Sequence, residues 1–293
     1  MIEVKGLVKA YERNKPVLKG LTVTVPEGSV FGLVGINGAG KSTLLRILAG
    51  VMQADKGLVW VDGEDIYENE KAKRKMFFLP DDPFYTANVT AEGLAELYRA
   101  VYDLDIEVFK DRLSQFALPM DKPIRNFSKG MKRQVFVSLA LAIAPKYLLL
   151  DEAFDGLDPL ARLTFKKCIV ELVEEKGTTV IISSHSLREL EDICDSYGIL
   201  DHGEITSSGD LESAISRVYK FQAAFDKGVC QEELGFACLA FEQTGKVVRF
   251  ITRADKEEVL QKMERLNPIF IEEIEMDFEE MFLGEVQARG YLQ

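Results

Sequence analysis

Ser29-Val30-Phe31-Gly32-Leu33-Val34-Gly35-Ile36-Asn37-Gly38-Ala39-Gly40-Lys41-Ser42-Thr43-Leu44-Leu45-Arg46-Ile47-Leu48-Ala49 is the stretch that decides the fold. Ser29 to Val34 is apolar on both faces and predicts a buried strand. From Lys41 the apolar residues Leu44, Leu45 and Leu48 recur at helical spacing. Between them, Gly35 to Thr43 fits G-x-x-x-x-G-K-[ST], a loop that cradles phosphates. Gly35 and Gly40 are expected to take backbone angles closed to other residues, so that the amides of Gly35, Asn37, Gly38, Ala39 and Gly40 point inward. The helix that follows aims its positive end at the same phosphates. Lys41 supplies a cation, and Ser42 a hydroxyl suited to Mg²⁺. Thr43 completes the set. Such a pattern arises by chance in a chain this long about once in a hundred. By itself it does not choose between ATP and GTP.

Working outward, Tyr147-Leu148-Leu149-Leu150 is an apolar strand that ends in Asp151-Glu152. In an open parallel sheet this end faces the ligand crevice. Asp151 is expected to hold Mg²⁺. Side chains alternate along an extended chain, which leaves Glu152 to polarise an attacking water. Thr178 to Ser184 predicts another apolar strand, and His185 follows it, placed to contact a terminal phosphate. His202 beside Gly203 reads as a turn residue. Strands alternating with helices predict an α/β fold with a mainly parallel sheet covered on both faces.

The residues before this core alternate in short strands, with turns expected at Gly6, Asn14 and Gly20. The section from about 90 to 144 reads as helical. Thr90 caps one helix, and Met131 to Ala144 forms another, stopped by Pro145. Beyond residue 215 the character changes. Val218–Phe225, Leu239–Phe241 and Val247–Thr252 predict strands, Lys256–Leu266 a helix and Ile269–Ile274 a last strand. The domains expected are therefore 1–215 and a small α+β unit, 216–293.

The net charge of −12 argues against a general affinity for nucleic acid. The densest basic run, Lys71 to Lys75, reads as a solvated helix face. Four cysteines without C-x-x-C spacing predict reduced thiols rather than a metal site. The N-terminus lacks the layout of a signal peptide. The longest apolar run, Val135 to Ala144, is half the length of a bilayer span.

Taken together, these motifs resemble the ATP-binding cassette (ABC) ATPases. That family carries a signature loop resembling Leu-Ser-Gly-Gly-Gln; here it reads Phe127-Ser128-Lys129-Gly130-Met131. Asp155-Gly156-Leu157-Asp158-Pro159 is similar to its D-loop. His185 takes the place of its switch histidine, and Tyr11 that of its adenine-stacking aromatic residue. The resemblance covers residues 1 to about 210. It implies a P-loop NTPase fold with an N-terminal antiparallel β subdomain and a helical subdomain. It further implies ATP with Mg²⁺, hydrolysis, and a head-to-tail dimer, of identical chains or with a second ABC ATPase. In that dimer Ser128, Gly130 and Asp158 serve nucleotide at the shared interface. The implied partner is a separate membrane-spanning permease, approached from the cytoplasmic face. No nucleic acid is expected, although a soluble ATPase acting on ribosomes or nucleic acid is the alternative. The tail resembles the C-terminal appendage of drug- and antibiotic-type exporter ATPases.

Three departures from the family pattern stand out. Asp81, followed by Asp82, replaces the usual glutamine; its carboxylate is a candidate Mg²⁺ ligand but lacks an amide donor. Lys129 and Met131 replace a glycine and a glutamine of the signature. Ser186 follows His185 where many relatives carry an acid.

Overall fold

The computed structural model describes residues 1–13, 15–185 and 187–281. Two compact units are present, Met1–Gly209 and Asp210–Gln293. The division falls after Gly209 rather than at 215.

The first unit opens with the antiparallel pair β1 (Ile2–Glu12) and β2 (Lys15–Val25). The alternation predicts short strands broken at Gly6 and Gly20, yet each strand runs 11 residues. Register shifts occur around both glycines. Their φ values of 60° and 83° let the chain bulge and continue instead of turning. Asn14, the third expected turn, lies outside the described residues, as does Ser186.

Next come β3 (Val30–Val34) and α1 (Lys41–Leu48), the strand and helix that flank the glycine loop. β4 (Lys56–Val61) and β5 (Glu64–Asp65) complete a four-stranded sheet ordered β2-β1-β4-β5. α2 (Glu70–Arg74) carries the basic run, with Lys71 and Arg74 exposed, and leads into β6 (Met76–Leu79).

The helical section contains α3 (Ala91–Arg99), α4 (Ile106–Gln115) and α5 (Lys129–Ile143). Thr90 caps α3, its hydroxyl accepting from the Gly93 amide at 3.1 Å. α4 is an addition to the sequence reading. Asp105 caps it, but only Phe109 and Leu113 of its residues are buried, so its apolar stripe is thin. α5 is buried throughout Arg133 to Ile143 and stops at Ala144 (φ 44°), directly before Pro145.

β7 (Tyr147–Asp151), α6 (Pro159–Lys176), β8 (Thr179–Ser184), α7 (Leu187–Glu191), β9 (Ser196–Asp201) and β10 (Glu204–Asp210) complete the unit. Its six-stranded sheet has the order β10-β9-β3-β8-β7-β6. β9, β3, β8, β7 and β6 run parallel. Every residue of β3, β7 and β8 is buried, as a sheet covered on both faces requires. Each fully buried leucine of β7 contributes about 2 kcal/mol. Because the strands are parallel, Val34, Leu79, Asp151 and Ser184 all end at one edge, and the candidate residues gather there.

In the second unit, α8 (Leu211–Ile215) precedes β11 (Tyr219–Ala224), β12 (Ala240–Thr244), β13 (Val247–Thr252), α9 (Lys256–Glu264) and β14 (Phe270–Ile274). The strands form an antiparallel sheet ordered β12-β13-β11-β14. Phe221, Phe250, Val259 and Met263 form its core. The four cysteines are all free.

Candidate active site

The glycine loop leaves β3 and enters α1. Gly38 and Gly40 have φ values of 82° and 113°, which other residues rarely adopt. Gly35 differs from expectation, because its φ is not left-handed. It is glycine for space: a Cβ there would meet the Leu200 carbonyl oxygen at 2.3 Å. Ala39 is buried beneath the loop, and its amide closes a turn on Ile36 O at 3.1 Å.

Lys41 is 6% exposed and donates to Gly35 O at 2.7 Å. Its Nζ also lies 3.3 Å from Glu152 Oε1. The other Glu152 oxygen, Oε2, lies 2.9 Å from His185 Nδ1. Glu152 thus sits between a cation from the loop and the histidine after β8. The expected reason for its direction, simple strand alternation, is not the one observed. Glu152 has a left-handed φ of 48°, so the chain kinks immediately after Asp151. Positive φ in a bulky residue is strained and is held by its surroundings.

Ser183, on β8, supplies part of that hold. Its hydroxyl accepts from the Glu152 amide at 3.0 Å and donates to Asp151 Oδ1 at 2.8 Å. Ser42 donates to the same Asp151 oxygen at 3.1 Å. Ser183 contacts both candidate carboxylate residues, yet the sequence reading assigns it no role. Its signal was faint: a polar residue at the end of an otherwise apolar buried strand.

A cavity of about 390 Å³ is lined by Val17, the loop residues Ile36, Asn37, Gly38 and Gly40, then Lys41, Ser42, Thr43, Asp81 and Glu152. Amides, Lys41 and a helix N-terminus suit phosphate. Tyr11 is anchored beside it, its hydroxyl 3.1 Å from Thr43 Oγ1. The hydroxyl of Ser42 and the carboxylate of Asp151 offer hard oxygens to a cation of the magnesium type, which keeps waters and phosphate oxygens as its other ligands. Among the described residues no group of three or more His, Cys, Asp or Glu could hold a metal ion.

Asp81 faces this cavity, but its Oδ1 is also 2.7 Å from Arg133 Nη2. Ser128, Gly130 and Asp158 are among the predicted residues that do not line it. Ser128 caps α5, accepting from Met131 N at 3.2 Å. Gly130 packs so closely that a Cβ would meet Gly156 O at 2.4 Å. Asp158 caps α6, accepting from Ala161 N at 2.9 Å. Lys129 donates to Asp155 at 2.5 Å. That bond raises the lysine pKa above its ordinary value and lowers that of Asp155.

The family profile "ABC transporter" matches residues 18–155. The profile "AAA domain, putative AbiEii toxin, Type IV TA system" matches 121–191. The ABC transporter ATP-binding protein YtrB of Bacillus subtilis is 31% identical over 287 residues, 97% of this chain and 98% of its own length. Linearmycin resistance ATP-binding protein LnrL of the same organism is 34% identical over 226 residues, 74% of this chain and 72% of its own. A solved ATP-binding subunit of an ABC transporter superposes with a TM-score of 0.68 at 31% identity, covering 74% of this chain and 92% of that one. A relative aligned along nearly the whole of both chains carries the motifs from resemblance to membership: the chain belongs to the ATP-binding, ATP-hydrolysing subunits of ABC transporters.

Proposed function

We propose that the chain hydrolyses magnesium-ATP at the cavity beside Lys41 and thereby energises a separate membrane-spanning permease, as an exporter. The observation that carries the hydrolytic roles is the placement of Glu152 between Lys41 and His185. Lys41 turns from Gly35 O and Glu152 to the β- and γ-phosphates. Glu152, held by His185, then accepts a proton from the attacking water. Ser42 and Asp151 would hold Mg²⁺, which supplies charge neutralisation at the phosphate oxygens. Tyr11 stacks on adenine. Protein chemistry of this kind is mainly positioning and electrostatics.

Ser128 and Gly130 open α5, a helix of 15 residues. Its N-terminus favours phosphate. We assign the pair, with Asp158 nearby in the D-loop, to the ATP of a second ABC subunit in a head-to-tail dimer, identical or paired.

A second cavity, of about 590 Å³, lies among Phe78, Pro83, Phe84, Leu94, Leu97, Tyr98, Val101 and Phe136. Phe84 is 88% exposed there, and Leu97 and Val101 are also exposed. A side chain so apolar and so bare favours a partner, and we assign this groove to the permease. Among the described residues no helix is long and apolar enough to cross a membrane, in keeping with a span carried by another chain. The subunit would sit on the cytoplasmic face of the membrane. The resistance function in the name of LnrL favours export.

The test is affinity purification of the tagged full chain from detergent-solubilised membranes, beside Phe84→Asp. A multi-span protein should co-purify in stoichiometric amount with the parent and be lost with Phe84→Asp, while ATP affinity stays the same. Recovery of ribosomes or nucleic acid instead would move the assignment to the soluble alternative.

A further inference from the structure

Arg133 has no part in the reaction as described, yet it is among the most buried charged side chains of the chain, at 2% exposure. It lies on α5, the helix that Ser128 caps. Its Nη2 donates to Asp81 Oδ1 at 2.7 Å. Its Nη1 donates to Pro80 O at 3.1 Å and approaches Asp151 O at 3.4 Å. One side chain therefore joins three segments: the signature helix, the loop after β6 and the end of the strand that carries Asp151. Lys129, also on α5, brings its ammonium to 3.7 Å from the same Asp81 oxygen while it binds Asp155. The Asp81 carboxylate lies between two cations of one helix.

The sequence expectation makes Asp81 a metal ligand. Geometry argues for another role. A buried guanidinium stripped of its carboxylate is left with an uncompensated charge, and the protein resists that strongly. Asp81 is half exposed, so it gives up little solvation by staying with Arg133.

We propose that Asp81 and Arg133 form an ion-pair latch holding the signature helix against the chain's own catalytic strand, with both acting as positioning residues for hydrolysis and Asp81 not ligating magnesium. The proposal rests on the ATPase reading above. In a head-to-tail dimer the signature loop serves the other subunit's ATP. The latch then links the two sites: the end of β7 in one site sets the pose of Ser128 and Gly130 in the other.

The test uses the full chain with Asp81→Gln, Asp81→Glu, Arg133→Gln and the double variant Asp81→Gln/Arg133→Gln. Melting of the nucleotide-free protein is read first. Asp81→Gln should melt lowest, because it leaves Arg133 buried and unpaired. Asp81→Glu should keep most of the parental stability, since it keeps the charge. The double variant should melt above Asp81→Gln, the non-additivity expected of contacting residues. Turnover should follow the same order, with Asp81→Gln slowed about tenfold and the double variant recovering about threefold or more. Mn²⁺ affinity in the presence of ADP should change by less than about threefold in Asp81→Gln, since loss of a metal ligand or of a ligand's hydrogen-bonded partner weakens a site about tenfold or more. Additive melting shifts, or Asp81→Glu melting as low as Asp81→Gln, would overturn the latch. A tenfold loss of Mn²⁺ affinity would return Asp81 to the metal. A parent that binds but never hydrolyses ATP would reject the ATPase reading, and the melting order would still decide the latch.

Discussion

His185 Nδ1 lies 2.9 Å from Glu152 Oε2, although the two residues end neighbouring parallel strands and are far apart in sequence. This contact fixes the direction of a carboxylate whose own backbone is kinked. With Lys41 on its other oxygen, Glu152 is oriented from both sides.

Ser183→Ala removes one hydroxyl that bonds both Glu152 and Asp151. The Glu152 amide loses its acceptor, and an unsatisfied group in this setting costs about 1–3 kcal/mol. The variant should melt lower and hydrolyse ATP more slowly, with nucleotide affinity little changed. Thermal melting and phosphate release are the measurements. Parental values in both would mean that Ser183 does not hold the kink.

Asp62 gives a pH dependence that is independent of the site. Burial alone would raise its pKa. Hydrogen bonds from Tyr147, Lys146, the Met1 amino group and Lys75 outweigh burial and hold the carboxyl well below the usual carboxylate range. A depressed pKa contributes stability that is fully present above the unfolded value, about 3.9, and is lost as pH falls below it towards the folded value. Asp62→Asn should therefore cost about 2 kcal/mol at pH 7. The gap from the parent should narrow below about pH 4. Urea melts at both pH values check it; a constant gap would contradict the assignment.

Gly130→Ala places a methyl where the Gly156 carbonyl oxygen stands 2.4 Å away. Both partners are backbone at the contact, so the signature loop and the D-loop must separate. Turnover should fall by up to about a hundredfold, the size of a misplacement of about 1 Å. ATP affinity of the isolated chain should hold, because the residue lies outside the phosphate cavity. Equilibrium nucleotide binding beside steady-state turnover separates the two.

Tyr11→Ala should weaken ATP binding by about 1–3 kcal/mol, the worth of stacking a base on an aromatic ring. Fluorescent-nucleotide titration reads this directly. Unchanged affinity would remove Tyr11 from the adenine site and leave it as a tether on Thr43.

Much of the site is legible in the sequence because its chemistry constrains consecutive residues. The loop from Gly35 to Thr43 needs glycines, a lysine and a hydroxyl at fixed spacing. Asp151 is announced by the apolar strand before it. Ser183 and Arg133 act through contacts made by the fold, and no local pattern marks them. The left-handed turn at Glu152 is equally silent, since nothing about a glutamate asks for positive φ. Gly6 and Gly20 were ambiguous for the opposite reason: the same freedom serves a turn and a bulge, and only pairing with a neighbouring strand decides. In the second unit, the strands are readable because one sheet face is buried and the other is polar. α4 lacked that contrast.

The most direct test of the account is single-turnover phosphate release by Glu152→Gln beside the parent, with ATP affinity measured on the same samples. The account predicts that ATP affinity is retained while release slows by about 10²–10⁴, the contribution of a positioned general base. Release at the parental rate with ATP bound would contradict it and take the water-activating role away from Glu152.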